Sequence, residues 1–312
     1  MILRRAMLSF ILGASVAAGL VPAALRAQDK FDFSPEQPGR IRAGTNPDAI
    51  KAIPQSFKFA EPGVLTVGIS PGGPPLGAYA TDTRTVVGAD PDFAQLIADS
   101  LGLKLNLVAI AWADWPLGLT SGKYDAVISN VGVTEQRKEK FDFSTYRLGL
   151  HGFFVRTDSK IAAIKEPADA AGLRIILGPG TNQERILLEW NKQNVAAGLK
   201  PLELHYFDDE ASRLLALASG RADVIVQPHA QLVFFAARDQ NLKKVGTLSA
   251  GWPLKSDVAI TTKKGNGLVD ALTLATNTLI GNGKYRQSLA RWGIEAEAVA
   301  LSETNPPGLP RL

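Results

Sequence analysis

The stretch that decides the fold, Tyr124 to Ser144, reads YDAVISNVGVTEQRKEKFDFS. An apolar run over residues 126–129 leads into a loop over 130–133 and then to a helix start at Thr134, whose hydroxyl suits an N-cap. Glu135 fits the first turn of that helix, whereas Arg137 opposes the positive end of its dipole by roughly a few tenths of a kcal/mol. A local rule broken without visible compensation marks a residue with a task. A guanidinium at a strand-loop-helix junction, beside free loop amides, can grip a carboxylate through two parallel hydrogen bonds. The alternative is a solvated surface arginine among Lys138, Glu139 and Lys140.

Working outward, Leu65 to Ile69 forms a strand, and the Gly and Pro pairs of SPGGPPLGAYA keep the segment after it from being helical. Open α/β sheets place their ligands at such carboxyl ends of strands. Residues 68–72 match G-x-S-x-G, but Gly73, Pro74 and Pro75 forbid the immediate helix that a nucleophile elbow needs. GADPDFAQLIADSLGL predicts a helix with Asp90 as N-cap, Pro91 at N1 and Phe93, Leu96, Ile97 and Leu101 on one face. A strand over 103–111 and the loop AWADWP follow, with Trp112 and Trp115 serving either the core or a cleft. Residues 117–121 form a short helix.

Downstream, LGLHGFFVR over 148–156 is extended, and a new series begins. It comprises a short helix near 167–171, a strand at 173–178, and a helix after Thr181, which stands in capping-box spacing with Glu184. Strand 202–207, helix 210–218, strand 222–226 and helix 228–238 continue it. Strand 257–263 and two helices, 267–281 and 284–292, close the chain. Alternating strands and helices imply parallel-rich sheets covered by helices on both faces. Residues 28–63, polar and with five prolines, form an extended arm or linker.

The 312 residues suffice for one large domain or two ordinary ones. Residues 1–27 carry Arg4 and Arg5, an uncharged stretch and small residues ending at Ala27, the layout of an export signal; an uncleaved anchor is the alternative. Removing them takes away three arginines and no acids, so the formal charge of +4 falls to about +1. That leaves no electrostatic case for nucleic acid. The absence of cysteine excludes disulfides and thiolate metal sites. His151, His205 and His229 share no metal-ligand spacing, and no phosphate-binding glycine motif occurs, so neither metal nor cofactor is expected.

These segments, in this order, resemble the family 3 periplasmic solute-binding proteins of ABC transporters, the polar-amino-acid-binding group, over about residues 62–295. GADPDFAQLIADSLG is similar to the family signature, with Ala89 and Pro91 as departures, and LTSGKYDAVISNVGVTEQRKEKFDFS matches it almost throughout. The resemblance implies a two-lobed α/β fold, its two parallel-rich sheets joined by a two-strand hinge. Lobe I would comprise residues 62–152 and 256–312, lobe II residues 153–255, after the signal peptide (1–27) and the N-terminal arm (28–61).

By the same resemblance Arg137 pairs with a ligand carboxylate, while Asn130 and Gly132 offer backbone groups. Trp112 and Ser70 line the cleft, and Thr181, Asn182 and Gln183 close over the carboxylate from lobe II. Gly132 lacks the usual hydroxyl, and Ser70 and Gly73 replace larger residues. Pro228 stands where amino-acid-binding members usually carry an Asp for the α-ammonium. Either neutral acceptors such as Gln227 hold that ammonium, or the ligand has none there.

The expectation is a monomeric periplasmic receptor for a small carboxylate-bearing solute, an amino acid or a derivative, delivering it to an inner-membrane ABC permease without catalysis. The rivals are an enzyme on the same scaffold, similar to cyclohexadienyl dehydratase and using His229, Asp208, Asp209 or Glu184, and a sensor.

Overall fold

A computed structural model describes residues 31–311. The expected export signal lies outside these residues. The first lobe contains α1 (Pro47–Lys51), β1 (Val64–Ile69), a ribbon of β2 (Ala78–Tyr79) and β3 (Val86–Val87), α2 (Ala89–Ser100), β4 (Lys104–Ala109), α3 (Trp115–Thr120), β5 (Ala126–Val127) and β6 (Phe141–Leu148). The chain then crosses to the second lobe through β7 (Leu150–Arg156), β8 (Arg174–Leu177), α4 (Asn182–Ala196), β9 (Glu203–Tyr206), α5 (Glu210–Ala218), β10 (Val224–Pro228), α6 (His229–Asp239) and β11 (Leu242–Ser249). It returns with β12 (Asp257–Lys263), α7 (Leu268–Gly281) and α8 (Lys284–Arg291).

The first sheet has the order β4-β1-β5-β12-β6 and the second β11-β7-β10-β8-β9. Both are mixed, with two parallel and two antiparallel pairings in each. The antiparallel pairs involve the strands on either side of the crossings. The crossings themselves are tied together: Gly149 donates to the Ser256 carbonyl at 2.9 Å, and Ala250 donates to the Gly149 carbonyl at 2.9 Å.

Local chemistry accounts for most elements. Every residue of β1 is buried, as a central parallel strand covered on both faces requires. The apolar face of α2 packs into the first core beside Leu65, Ile260 and Leu272. Its start differs from expectation. The helix begins at Ala89, with Gly88 at φ 141° as the flanking residue. A Cβ on Gly88 would lie 2.5 Å from the Leu76 carbonyl oxygen, so glycine is needed there. Asp90 and Pro91 therefore sit inside the first turn, where backbone amides have no helical partner and proline loses nothing.

Strand β6 is not assigned in the sequence, where its polar residues break any apolar alternation. It is buried over seven of its eight positions, including the polar Asp142, Ser144, Thr145 and Arg147. Strand β11 is missed too.

The segment expected to be an arm or linker is packed onto the molecule. Phe31 and Phe33 lie between Trp292 of the first lobe, at 5.6 and 6.0 Å, and Phe234 of the second, at 5.9 and 6.0 Å. Asn46 caps α1 by accepting from Asp48 and Ala49, each at 3.1 Å. The C-terminal tail makes the other bridge: Leu309 exchanges hydrogen bonds with Glu135 and Val133, and the Pro310 carbonyl accepts from Arg185 of α4.

Candidate functional site

The loops after β1, β4 and β5 face those after β8, β9 and β10, and between them lies a cavity of about 300 Å³. This is the carboxyl end of both sheets. All ten residues singled out from the sequence line it: Ser70, Trp112, Asn130, Gly132, Arg137, Thr181, Asn182, Gln183, Gln227 and Pro228. Contacts cross the cleft directly. Gln231 of α6 donates to the Gly73 carbonyl at 3.0 Å, and Asn182 of α4 lies 3.4 Å from the Ser256 hydroxyl.

Arg137 occupies a single 3-10 turn, Arg137–Glu139, rather than an α-helix. A turn this short has little dipole, so the electrostatic conflict inferred from the sequence is weak. Gln136, not Thr134, flanks the turn, but the Thr134 hydroxyl still accepts from the Arg137 amide at 3.1 Å. The guanidinium donates to the Gly132 carbonyl at 2.8 Å and, across the cleft, to the Gly180 carbonyl at 3.0 Å. It stands 5.9 Å from the Trp112 ring and 5.7 Å from that of Trp115, within cation-π range.

Among the described residues no acid forms an ion pair with Arg137. Burial lowers its pKa to about 10, with Arg185 adding to the effect, so it remains a cation at neutral pH. It also lines the outer groove with Arg185 and Pro310.

The two tryptophans divide. Trp115 is 4 % exposed and packs on Phe141 at 4.7 Å. Trp112 is half-buried on the cavity wall.

Several neighbours are already committed to the protein. The Asn130 side chain accepts from Arg147 at 2.7 Å, and its backbone takes φ 57°, a left-handed conformation asparagine tolerates. The Thr181 hydroxyl donates to the Gly178 carbonyl and accepts from the Glu184 amide. Asn182 and Gln183 are buried and open α4, where amide hydrogens lack helical acceptors. The Ser70 amide is held by the Ser129 hydroxyl at 2.9 Å.

The unusual glycines have a reason in packing. A Cβ on Gly132 would lie 2.5 Å from the Asn182 amide nitrogen, and one on Gly73 2.9 Å from the Phe235 ring. Both absences let the second lobe approach. Pro228 ends β10 opposite His151 and begins α6.

Other lining residues escaped sequence reasoning. Asp90 lies on a buried network: it accepts from the Tyr146 hydroxyl at 2.7 Å and stands 3.6 Å from Arg147, which pairs with Glu297 at 2.6 Å. Burial raises the Asp90 pKa, with Arg147 and Tyr146 opposing the shift. His151 is 3 % exposed with neither ring nitrogen hydrogen-bonded, and burial pushes it down to about 3. Glu210 and Arg213 of α5 complete the second wall. From the sequence, Glu210 is legible only as the first residue of a helix.

Of the residues considered for catalysis, Asp208 and Asp209 are exposed at the cavity edge. Glu184 accepts from the Gly180 amide at 2.6 Å in the outer groove, and His229 is not among the lining residues. The described residues contain no group of three His, Asp or Glu suited to a metal ion.

Two mixed sheets with a cavity at their carboxyl ends, joined by paired crossings, define a two-lobed binding protein. Residues 65–295 match the bacterial extracellular solute-binding proteins, family 3, and the chain belongs to that family. It is 32 % identical over 170 residues to the L-cystine-binding protein TcyJ of Escherichia coli K12, an alignment spanning 54 % of this chain and 60 % of that protein. The solved structure of an ancestral arginine-binding protein bound to arginine superposes with a TM-score of 0.65 at 27 % identity, over 74 % of this chain and 98 % of that one. Cyclohexadienyl dehydratase of Pseudomonas aeruginosa is 25 % identical over 171 residues, 54 % of this chain and 60 % of the enzyme.

Proposed function

We propose that the protein is an extracytoplasmic receptor that binds a small carboxylate-bearing solute, an amino acid or close derivative, in this cleft and delivers it to an inner-membrane ABC permease. The observation that carries the reading is Arg137: a cation on the cavity wall, flanked by two tryptophans, with no acid of its own among the described residues. A partly buried cation without a counter-charge favours an anionic partner, and a ligand carboxylate is the natural one. The cavity volume suits a solute the size of an amino acid. Contacts to both lobes would make ligand binding favour the closed arrangement, because only that arrangement offers them together.

In this reading residues 62–152 and 256–312 act as one lobe and 153–255 as the other, in a periplasmic monomer that breaks no bond. An enzyme is the second reading, favoured by the dehydratase relative and by a buried Glu210 in the cavity. A thermal-shift screen of amino acids, opines, polyamines and small carboxylates tests the receptor. A true ligand at 100 times its Kd adds about 2.7 kcal/mol of stability, and mass analysis after incubation shows it unchanged. A chemically altered ligand would establish the enzyme.

A further inference from the structure

Four acids line the cavity, Asp90, Asp208, Asp209 and Glu210. Three are spoken for or open to water. Asp90 is paired with Tyr146 and Arg147. Asp209 accepts from the Ser212 amide at 2.8 Å as the N-cap of α5, and both it and Asp208 are exposed.

Glu210 differs from them. Its side chain is 16 % exposed, and both carboxyl oxygens are buried without a hydrogen bond. The Arg213 guanidinium stands 3.7 Å away and is itself held by the Phe207 carbonyl at 2.7 and 2.9 Å. Beside Glu210 lies Gln227, 2 % exposed, whose amide is close enough to favour the Glu210 carboxylate although no hydrogen bond of good geometry joins them. Buried polar groups are almost always hydrogen-bonded, so a carboxyl and an amide that lack hydrogen bonds on one cavity wall, with only the 3.7 Å ion pair to Arg213, outline a polar ligand.

We propose that Glu210, with the Gln227 amide beside it, is the receptor's site for a cationic nitrogen of the ligand, supplying the negative charge that Pro228 cannot. The assignment rests on Arg137 holding the ligand's carboxylate, and together the two residues select a zwitterionic solute. The charged groups facing Glu210 are Arg213 and Asp209 on α5 and Arg238 on α6, while His151 on β7 stays neutral. Burial lifts the Glu210 carboxyl to about 7, against the pull of Arg213, so the empty site is partly protonated at neutral pH. An arriving ammonium or guanidinium favours the anion, and binding releases a proton.

Calorimetry at pH 7, in buffers of different ionisation enthalpy, tests this with L-glutamine and L-arginine beside their des-amino analogues, 4-carbamoylbutanoate and 5-guanidinopentanoate. Wild type should bind at least one amino acid with proton release, and Glu210→Gln should abolish the release and weaken that binding at least about 30-fold. Affinity for the analogue of glutamine should change less than threefold. A loss confined to arginine and its guanidino analogue would place the partner nitrogen at the distal end of the ligand; a loss shared by glutamine would place it at the α-position. Arg137→Ala should weaken amino acid and analogue alike. If Glu210→Gln binds every amino acid as wild type does, or if wild type releases no proton on binding, the assignment of Glu210 is wrong. If only Arg137→Ala is silent, the carboxylate reading fails while the Glu210 site stands. Wild type that binds neither amino acid at millimolar concentration overturns both. The proton release is measured on the unmodified protein, so a poorly folding variant does not decide the outcome.

Discussion

Across the cleft, a wall from the first lobe whose buried charged groups are paired among themselves faces a wall from the second on which His151, Gln227 and the Glu210 carboxyl lack hydrogen bonds, although Asn182 and Gln231 bond to the first lobe. On the first, Arg147 is 1 % exposed and joins Glu297, Asn130 and Asp90, with the Tyr146 hydroxyl completing the shell around Asp90. Coulombic attraction from these neighbours, stronger together than the desolvation that opposes it, holds the Arg147 guanidinium above its usual range. On the second, His151, Gln227 and Glu210 are buried without hydrogen-bond partners. In the proposed reading the first wall is organised before a ligand arrives, and a ligand would complete the second. A receptor that closes on its ligand gains from that division, because the contacts that reward closure are those the empty second wall lacks.

Breaking the first wall should produce the largest effect. Arg147→Met strands Asp90 and Glu297 in the core and is expected to cost about 3–5 kcal/mol of folding stability by chemical denaturation. The comparable change on the second wall, Gln227→Leu, should cost less than about 1 kcal/mol, since it removes an unpaired amide. Equal losses at both positions would erase the distinction between the walls.

Next comes Arg137→Ala, which should remove about 2–5 kcal/mol of affinity for a carboxylate ligand while the unfolding midpoint moves little. Unchanged affinity would return Arg137 to the status of a buried structural cation.

A third expectation is linked to pH. Because burial raises the Glu210 carboxyl from 4.5 to about 7, its ionisation opposes folding. The penalty is absent below the unfolded value, grows as pH rises from 4.5 to about 7, and is constant above that. In the empty protein Glu210→Gln should therefore match wild type at pH 4 and exceed it by up to about 3 kcal/mol at pH 8. A variant equally stable relative to wild type at both values would show that Arg213 already neutralises the carboxylate.

The smallest effect is optical. Ligand should change tryptophan fluorescence in Trp115→Phe but not in Trp112→Phe, since Trp112 faces the cavity and Trp115 is packed behind it. The opposite pattern would exchange their roles.

Much of this architecture is written locally. The 3.6-residue spacing of Phe93, Leu96 and Ile97 predicts α2, and the glycines and prolines after Ile69 predict a loop at a strand end. Thr181 caps α4 as its spacing implies, and 257–263 is a strand to the residue. The elements that escape reading are those whose local signal points elsewhere. Strand β6 buries Asp142, Ser144, Thr145 and Arg147, so its polar residues mimic a surface segment until their partners are known. The N-terminal arm, proline-rich and without a period, reads as linker although Phe31 and Phe33 bridge the lobes.

By itself the sequence determined the alternation of strands and helices, the absence of any thiol chemistry, and the loops whose ten candidate residues line one cavity. Periodicity, caps and turn residues act over a few positions along the chain and so fix the elements, while the ten candidate residues were named by the resemblance of whole motifs to a family. Tertiary structure alone decided which polar side chains are satisfied. Arg137 finds only carbonyls and indoles, Asp90 finds Arg147 fifty-seven positions away, and Glu210 comes to stand beside Gln227 with no hydrogen bond to its carboxylate. Such pairing depends on distances between segments remote in sequence. The desolvation that makes each unpaired group matter arises only once both lobes have closed around it.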